Sequence, residues 1–218
     1  MRKTLALDIS TKTGYALFDS EVAKTDIKKS LLSYGLLKNP KKVLEYGEYP
    51  WAYINAAAAL VDDIINLIKQ ERPAAVCIEE TNGGGRANRY SLKILEFLHC
   101  TLLTTLQTEF GPNKGTDFPI VAYINSSEWR KSLGLSLSSQ DKINNKKLNN
   151  AKTTAALAKG TLDKSKLGIK GKITKKHIAV RYANATFGLD LKIKDNDIAD
   201  AICIGNAFLN NCHICDGR

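Results

Sequence analysis

Two acids close strongly apolar runs: Asp8 follows Leu5-Ala6-Leu7, and Glu79 follows Val76-Cys77-Ile78. An ionised carboxylate at the margin of a core is costly unless it is paired, hydrogen-bonded or bound to a metal. Counting back in twos along an extended strand places Asp8 on the face of Ala6 and Thr4, and Glu79 on the face of Cys77 and Ala75. Both acids therefore extend the smaller-residue face, whereas Glu80 continues the face of Val76 and Ile78, which favours Glu79 as the inward acid. A second pair, Asp197 and Asp200, lies three residues apart where a helix begins, a spacing that puts both carboxylates on one helix face. Asp197 alone could be an acid favoured by the helix N-terminus, with Asp195 or Asn196 as a cap. Asp200 sits deeper, among Ala199, Ala201 and Ile202, where a purely structural position favours a neutral residue. Four carboxylates in one pocket cannot all ionise without cations. An oxygen-only set suits Mg²⁺, with Mn²⁺ as a substitute. Two such ions about 3.5–4 Å apart can activate a water and stabilise the leaving oxygen of a phosphodiester.

The elements that must bring these acids together are readable in outline. Residues 3–9, the turn-forming stretch Ser10-Thr11-Lys12-Thr13 and Gly14-Tyr15-Ala16-Leu17-Phe18 predict a β-hairpin, and Leu31 to Leu37 a third strand. Residues 50–70 carry Ile54, Ala57, Ala58, Val61, Ile64, Ile65 and Ile68 at helical spacing until Pro73 intervenes. Ala74 to Ile78 predicts a strand covered on both faces. A helix over about 89–109 follows, with Leu92, Ile94, Leu95, Leu98, Leu102, Leu103 and Leu106 inward, then a strand over 119–124. Asn125-Ser126-Ser127-Glu128 has the pattern of a helix start, and 174–187 and 195–210 predict the last two helices. Three antiparallel strands followed by helices alternating with single strands imply an α/β fold, a mixed five-stranded sheet with helices on both faces.

The chain has 218 residues, enough for one substantial core, and a single domain over 1–218 is expected. Its net charge of +10 is concentrated: residues 142–176 hold eleven lysines against one acid, Asp163, and the remainder balances. Such a block, read here as a lysine-rich insertion or loop at about 142–173, is a candidate footprint for a polyanion, the plainer alternative being a solvated loop. No stretch approaches the length of about eighteen apolar residues needed to cross a bilayer. Five cysteines, an odd number, three of them in apolar runs, fit a reducing setting. The expectation is a soluble, intracellular protein with no membrane partner.

The three acid-bearing segments together resemble the RuvC-type Holliday junction resolvases, in particular bacteriophage-like members, of the ribonuclease H-like superfamily. The resemblance rests on Leu7-Asp8-Ile9-Ser10-Thr11-Lys12-Thr13-Gly14-Tyr15-Ala16, on Val76-Cys77-Ile78-Glu79-Glu80 and on Asp197-Ile198-Ala199-Asp200-Ala201, in that order along nearly the whole chain. It implies a ribonuclease H-like sheet and a homodimer that binds four-way or branched DNA junctions. It also implies paired nicks made with Asp8, Glu79, Asp197 and Asp200 as ligands of two Mg²⁺ ions, and a bacterial cytoplasmic setting if the protein is phage-encoded. Bacterial members place an aromatic residue soon after the strand glutamate; here Thr81-Asn82 and Gly83-Gly84-Gly85 follow instead.

Candidate DNA contacts are Lys12 in the first connection, Arg86, Arg89 and Tyr90 beyond the glycines, and Lys146, Lys147, Lys152, Lys170, Lys172, Lys175 and Lys176 in the basic block. For Arg86, Arg89 and Tyr90 an exposed helix start is an equal alternative. Cys212-His213-Ile214-Cys215 has the gap of a zinc half-site without a second half, and a frayed tail is the better reading. His99 reads as a core or interface residue, and Trp51 and Trp129 as packing anchors. Other functions compete, one of them a DNA-binding module of the same fold whose chemistry has been lost, against which the presence of all four candidate acids argues. The spacing of Asp8, Thr11 and Gly14 also occurs in actin-like ATP-dependent phosphotransferases, and a nuclease of the same fold can act on flaps or RNA–DNA hybrids.

Overall fold

The computed structural model describes residues 2–39, 41–80, 89–111, 119–157, 169 and 171–211; for 89–91 and 155–157 it describes the backbone alone. The predicted hairpin forms from β1 (Lys3–Asp8) and β2 (Lys12–Asp19), paired antiparallel so that Asp8 faces Gly14. Two short helical turns, α1 (Ser20–Ala23) and α2 (Ile27–Ser30), lead into β3 (Leu31–Lys38), antiparallel to β2. The long helix α3 (Trp51–Glu71) then crosses to β4 (Ala75–Glu79), which lies parallel to β1. Helix α4 (Arg89–Phe110) returns the chain to β5 (Ile120–Ile124), parallel to β4. The sheet order is β3-β2-β1-β4-β5, the mixed five-stranded arrangement expected from the order of elements.

Each face of the sheet has its own core. Leu5, Leu7, Leu17, Val76 and Ile78 pack against α3 and α4 through Leu60, Val61, Ile64, Ile68, Leu98, Leu102 and Leu106. Burying side chains of this size contributes about 2 kcal/mol each. The opposite face carries the small residues Ala6, Ala16 and Cys77, and so lets helices come close. It is covered by α5 (Ser126–Ser132), α7 (Lys175–Phe187) and α8 (Asn196–Asn211). Glycine is required where α8 comes closest. A Cβ on Gly14 would collide with the backbone carbonyl of Asp197, and one on Gly205 with the Phe18 ring.

Three expectations change. Part of the supposed lysine-rich loop is a helix, α6 (Ser139–Leu157), opened by Ser138, whose hydroxyl accepts from the Asp141 N–H at 3.0 Å. Trp51 is 65% exposed and anchors nothing, because it stands at the first turn of α3, ahead of the buried stripe that starts at Ala52; Trp129 is fully buried. Leu103 is 40% exposed, since the stripe through Leu98, Leu102 and Leu106 already fills the face turned to the sheet. Helix α3 is long and apolar enough, by length and composition, to cross a membrane. Its apolar face is committed to the core, and Asp62 and Asp63 lie exposed on the other side.

Candidate active site

The parallel register pairs Leu7 with Ile78, so the next residues, Asp8 and Glu79, stand side by side at the carboxyl ends of two neighbouring strands. Both strands present these acids on the small-residue face, beneath α8. The N-terminal turns of α8 lie over Gly14, across the hairpin from Asp8, and deliver Asp197 and Asp200 to the same place. Glu80 falls outside this group: it is exposed and accepts a hydrogen bond from the Asn125 amide at 3.2 Å.

Electrostatics show how closely the acids are coupled. The Asp8 carboxyl is held well above the ordinary range by burial first, then by repulsion from Glu79, Asp200 and Asp197. Burial also pushes Glu79 up to about 7, with Asp200 adding to the rise and Arg130 opposing it. Asp200 rises to about 6 through burial, with Asp197 adding and Arg130 and Lys176 opposing. The donor set is hard and oxygen-only, which fits Mg²⁺ or Mn²⁺. As arranged, however, no three acids among the described residues close around a common ion.

Of the cations at this site, Arg130 is the one that the sequence does not single out. Arg130, on α5, places Nη2 3.3 Å from Asp200 Oδ1 and Nη1 4.0 Å from Glu79 Oε1. Its guanidinium lies over the Trp129 ring, 3.9 Å from the centroid. The only sequence signal for it was an arginine next to a tryptophan on the helix just after the last strand. Lys176, at the start of α7, stands 3.8 Å from Asp197, and Lys175 acts electrostatically on Glu79. These two of the candidate DNA contacts therefore lie at the acids themselves.

The other candidates are more dispersed. Lys146, Lys147 and Lys152 are exposed on α6, and Lys172 is exposed just before α7. Helix α6 is tied to that segment by Asn145, whose side chain accepts from the Ile173 N–H at 2.9 Å and donates to its carbonyl at 2.7 Å. Buried Leu148 and an Arg181–Asp141 contact at 3.9 Å complete the attachment. Lys12 is exposed at the start of β2. Arg89 and Tyr90 open α4, their side chains not described; Arg86, Lys170 and the Cys212–Cys215 pair lie outside the described residues. His99 is buried, with Nδ1 3.1 Å from the Tyr123 hydroxyl.

The five-stranded mixed sheet of this order, with helices on both faces, has the fold of RuvC, in keeping with the ribonuclease H-like architecture expected from the sequence. Thermus thermophilus RuvC in complex with a Holliday junction substrate superimposes with a TM-score of 0.52 at 13% identity, covering 95% of this chain and 92% of that one. A further Thermus thermophilus RuvC structure gives 0.52 and 13%, over 94% and 92% of the two chains. The yeast mitochondrial Holliday junction resolvase Ydc2 gives 0.47 and 11%, over 95% and 79%. At these identities the likeness is one of fold. No protein-family model and no curated protein matches the sequence.

Proposed function

We propose that this chain is a metal-dependent endonuclease that resolves four-way or branched DNA junctions by paired nicking, acting as a homodimer. The observation that carries this reading is the approach of Asp8, Glu79, Asp197 and Asp200, from three distant segments, to one another, with burial and repulsion disfavouring the charged forms of Asp8, Glu79 and Asp200. Without exogenous cations such a cluster is destabilising, and that is reason to expect a cation-dependent role. Two Mg²⁺ ions held by these acids, with Mn²⁺ as a substitute, would supply activation of the attacking water and stabilisation of the leaving oxygen.

The chain's own residues have separable tasks. The strand ends carry Asp8 and Glu79, while α8 brings Asp197 and Asp200 over them, so the four carboxylates would hold the metal ions that in turn meet a scissile phosphate. Lys175 and Lys176 meet phosphates beside the acids, and the exposed lysines of α6 hold the backbone farther out without reading sequence. The fold shared with RuvC, which is known bound to a Holliday junction substrate, supports a junction over an ordinary duplex. A single sheet among the described residues also argues against the actin-like alternative, which needs two domains around its nucleotide.

The test is incubation with a synthetic four-way junction, a flap, linear duplex and an RNA–DNA hybrid, each with Mg²⁺, Mn²⁺ or chelator. Metal-dependent cleavage that prefers the junction is expected. Equal cleavage of linear duplex and junction would contradict the resolvase reading.

A further inference from the structure

Arg130 differs from Lys176 beside the acids in being mostly withdrawn from solvent. Its side chain is 14% exposed, against 58% for Lys176. A desolvated charge acts on its neighbours with far less screening than a surface one. Two features describe how it is held. The planar face is pinned on fully buried Trp129, and Nη1 also donates to the Ser126 carbonyl at 3.3 Å. Toward the carboxylates its hold is looser: one contact at 3.3 Å and one at 4.0 Å, with buried Nε finding no hydrogen-bond partner among the described residues. A committed arginine–carboxylate pair is shorter and bidentate. Arg130 thus touches two different acids and fully engages neither.

Resting on the metal-site reading above, we propose that Arg130 is a built-in counter-ion that competes with divalent cations for Glu79 and Asp200. In the metal-free protein the guanidinium neutralises part of the buried charge and keeps the two acids from closing around an ion. Metal gains them only as the guanidinium gives them up, while the Trp129 face keeps it close by. On this view Arg130 is a positioning residue that sets metal affinity; it does not help to assemble the ligand cage.

The discriminating measurement is calorimetric titration with Mn²⁺ alone, without DNA, at about pH 8, above the ordinary carboxylate range. Relative to wild type, Arg130→Gln should bind Mn²⁺ at least about tenfold more tightly. Arg130→Lys, which keeps the charge, should stay close to wild type. Unchanged or weaker binding by folded Arg130→Gln, while wild type binds, would overturn the counter-ion role and leave the metal site standing. If neither protein binds Mn²⁺, the metal reading falls with it. A second readout needs no substitution: in wild type, Mg²⁺ should shift the Arg130 Nε–Hε NMR signal, and a signal unmoved at saturating Mg²⁺ would overturn the proposal.

Discussion

A carboxylate that leaves water must be paired, metal-bound or protonated, and Glu79 and Asp200 face that choice together. Burial lifts Glu79 from an ordinary 4.5 to about 7 and Asp200 from 3.8 to about 6. The folded chain therefore keeps protons that the unfolded chain releases, and stability must fall as pH rises through that window. In chelator, the melting temperature should drop between about pH 4.5 and 7, and Glu79→Gln should flatten the drop and melt higher than wild type at about pH 8. A flat wild-type profile would contradict this picture. Sequence made these acids visible because a charge interrupting an apolar run has few structural explanations. It left Arg130 hidden, because what qualifies that arginine is its stacking on Trp129 and its reach to acids 51 and 70 positions away in the chain. Neither leaves a mark in local spacing.

Helix α8 can place two acids over the strand ends only because two glycines let it approach the sheet. Gly205→Ala should cost about 1–3 kcal/mol in a denaturant melt, since the added methyl meets the Phe18 ring. Gly14→Ala should be worse, its collision being with backbone at Asp197, and should also lower activity. Wild-type melts for both would mean that α8 sits farther from the sheet. Helix α6 makes the opposite point about legibility. Its buried face is little more than Asn145 and Leu148, and Ile143 is exposed, so no apolar stripe announced it within a lysine- and asparagine-rich stretch. As a helix it can present a fixed array of charges. Changing Lys142, Lys146, Lys147 and Lys152 together to Gln should weaken junction binding and make the plot of log affinity against log salt shallower, by about 0.9 for each phosphate that a lysine no longer neutralises. An unchanged slope would reduce α6 to a role in solubility.

For the whole molecule, the order of elements was the strongest sequence signal. A hairpin and a third strand antiparallel to it, then strands separated by long helices, admit few sheets other than β3-β2-β1-β4-β5, and the parallel register of β1 and β4 brings Asp8 beside Glu79. The shape of the substrate is less legible, because it depends on how surfaces and a second protomer are arranged around chemistry that any phosphodiester could share. The most direct test of the central claim is single-turnover cleavage of a four-way junction in Mg²⁺ by wild type and by Asp8→Asn, Glu79→Gln, Asp197→Asn and Asp200→Asn, with junction binding measured in parallel. Each substitution should abolish cleavage while binding persists. Wild-type cleavage by any one of the four would remove that acid from the site, and wild-type cleavage in chelator would contradict a metal-dependent nuclease altogether.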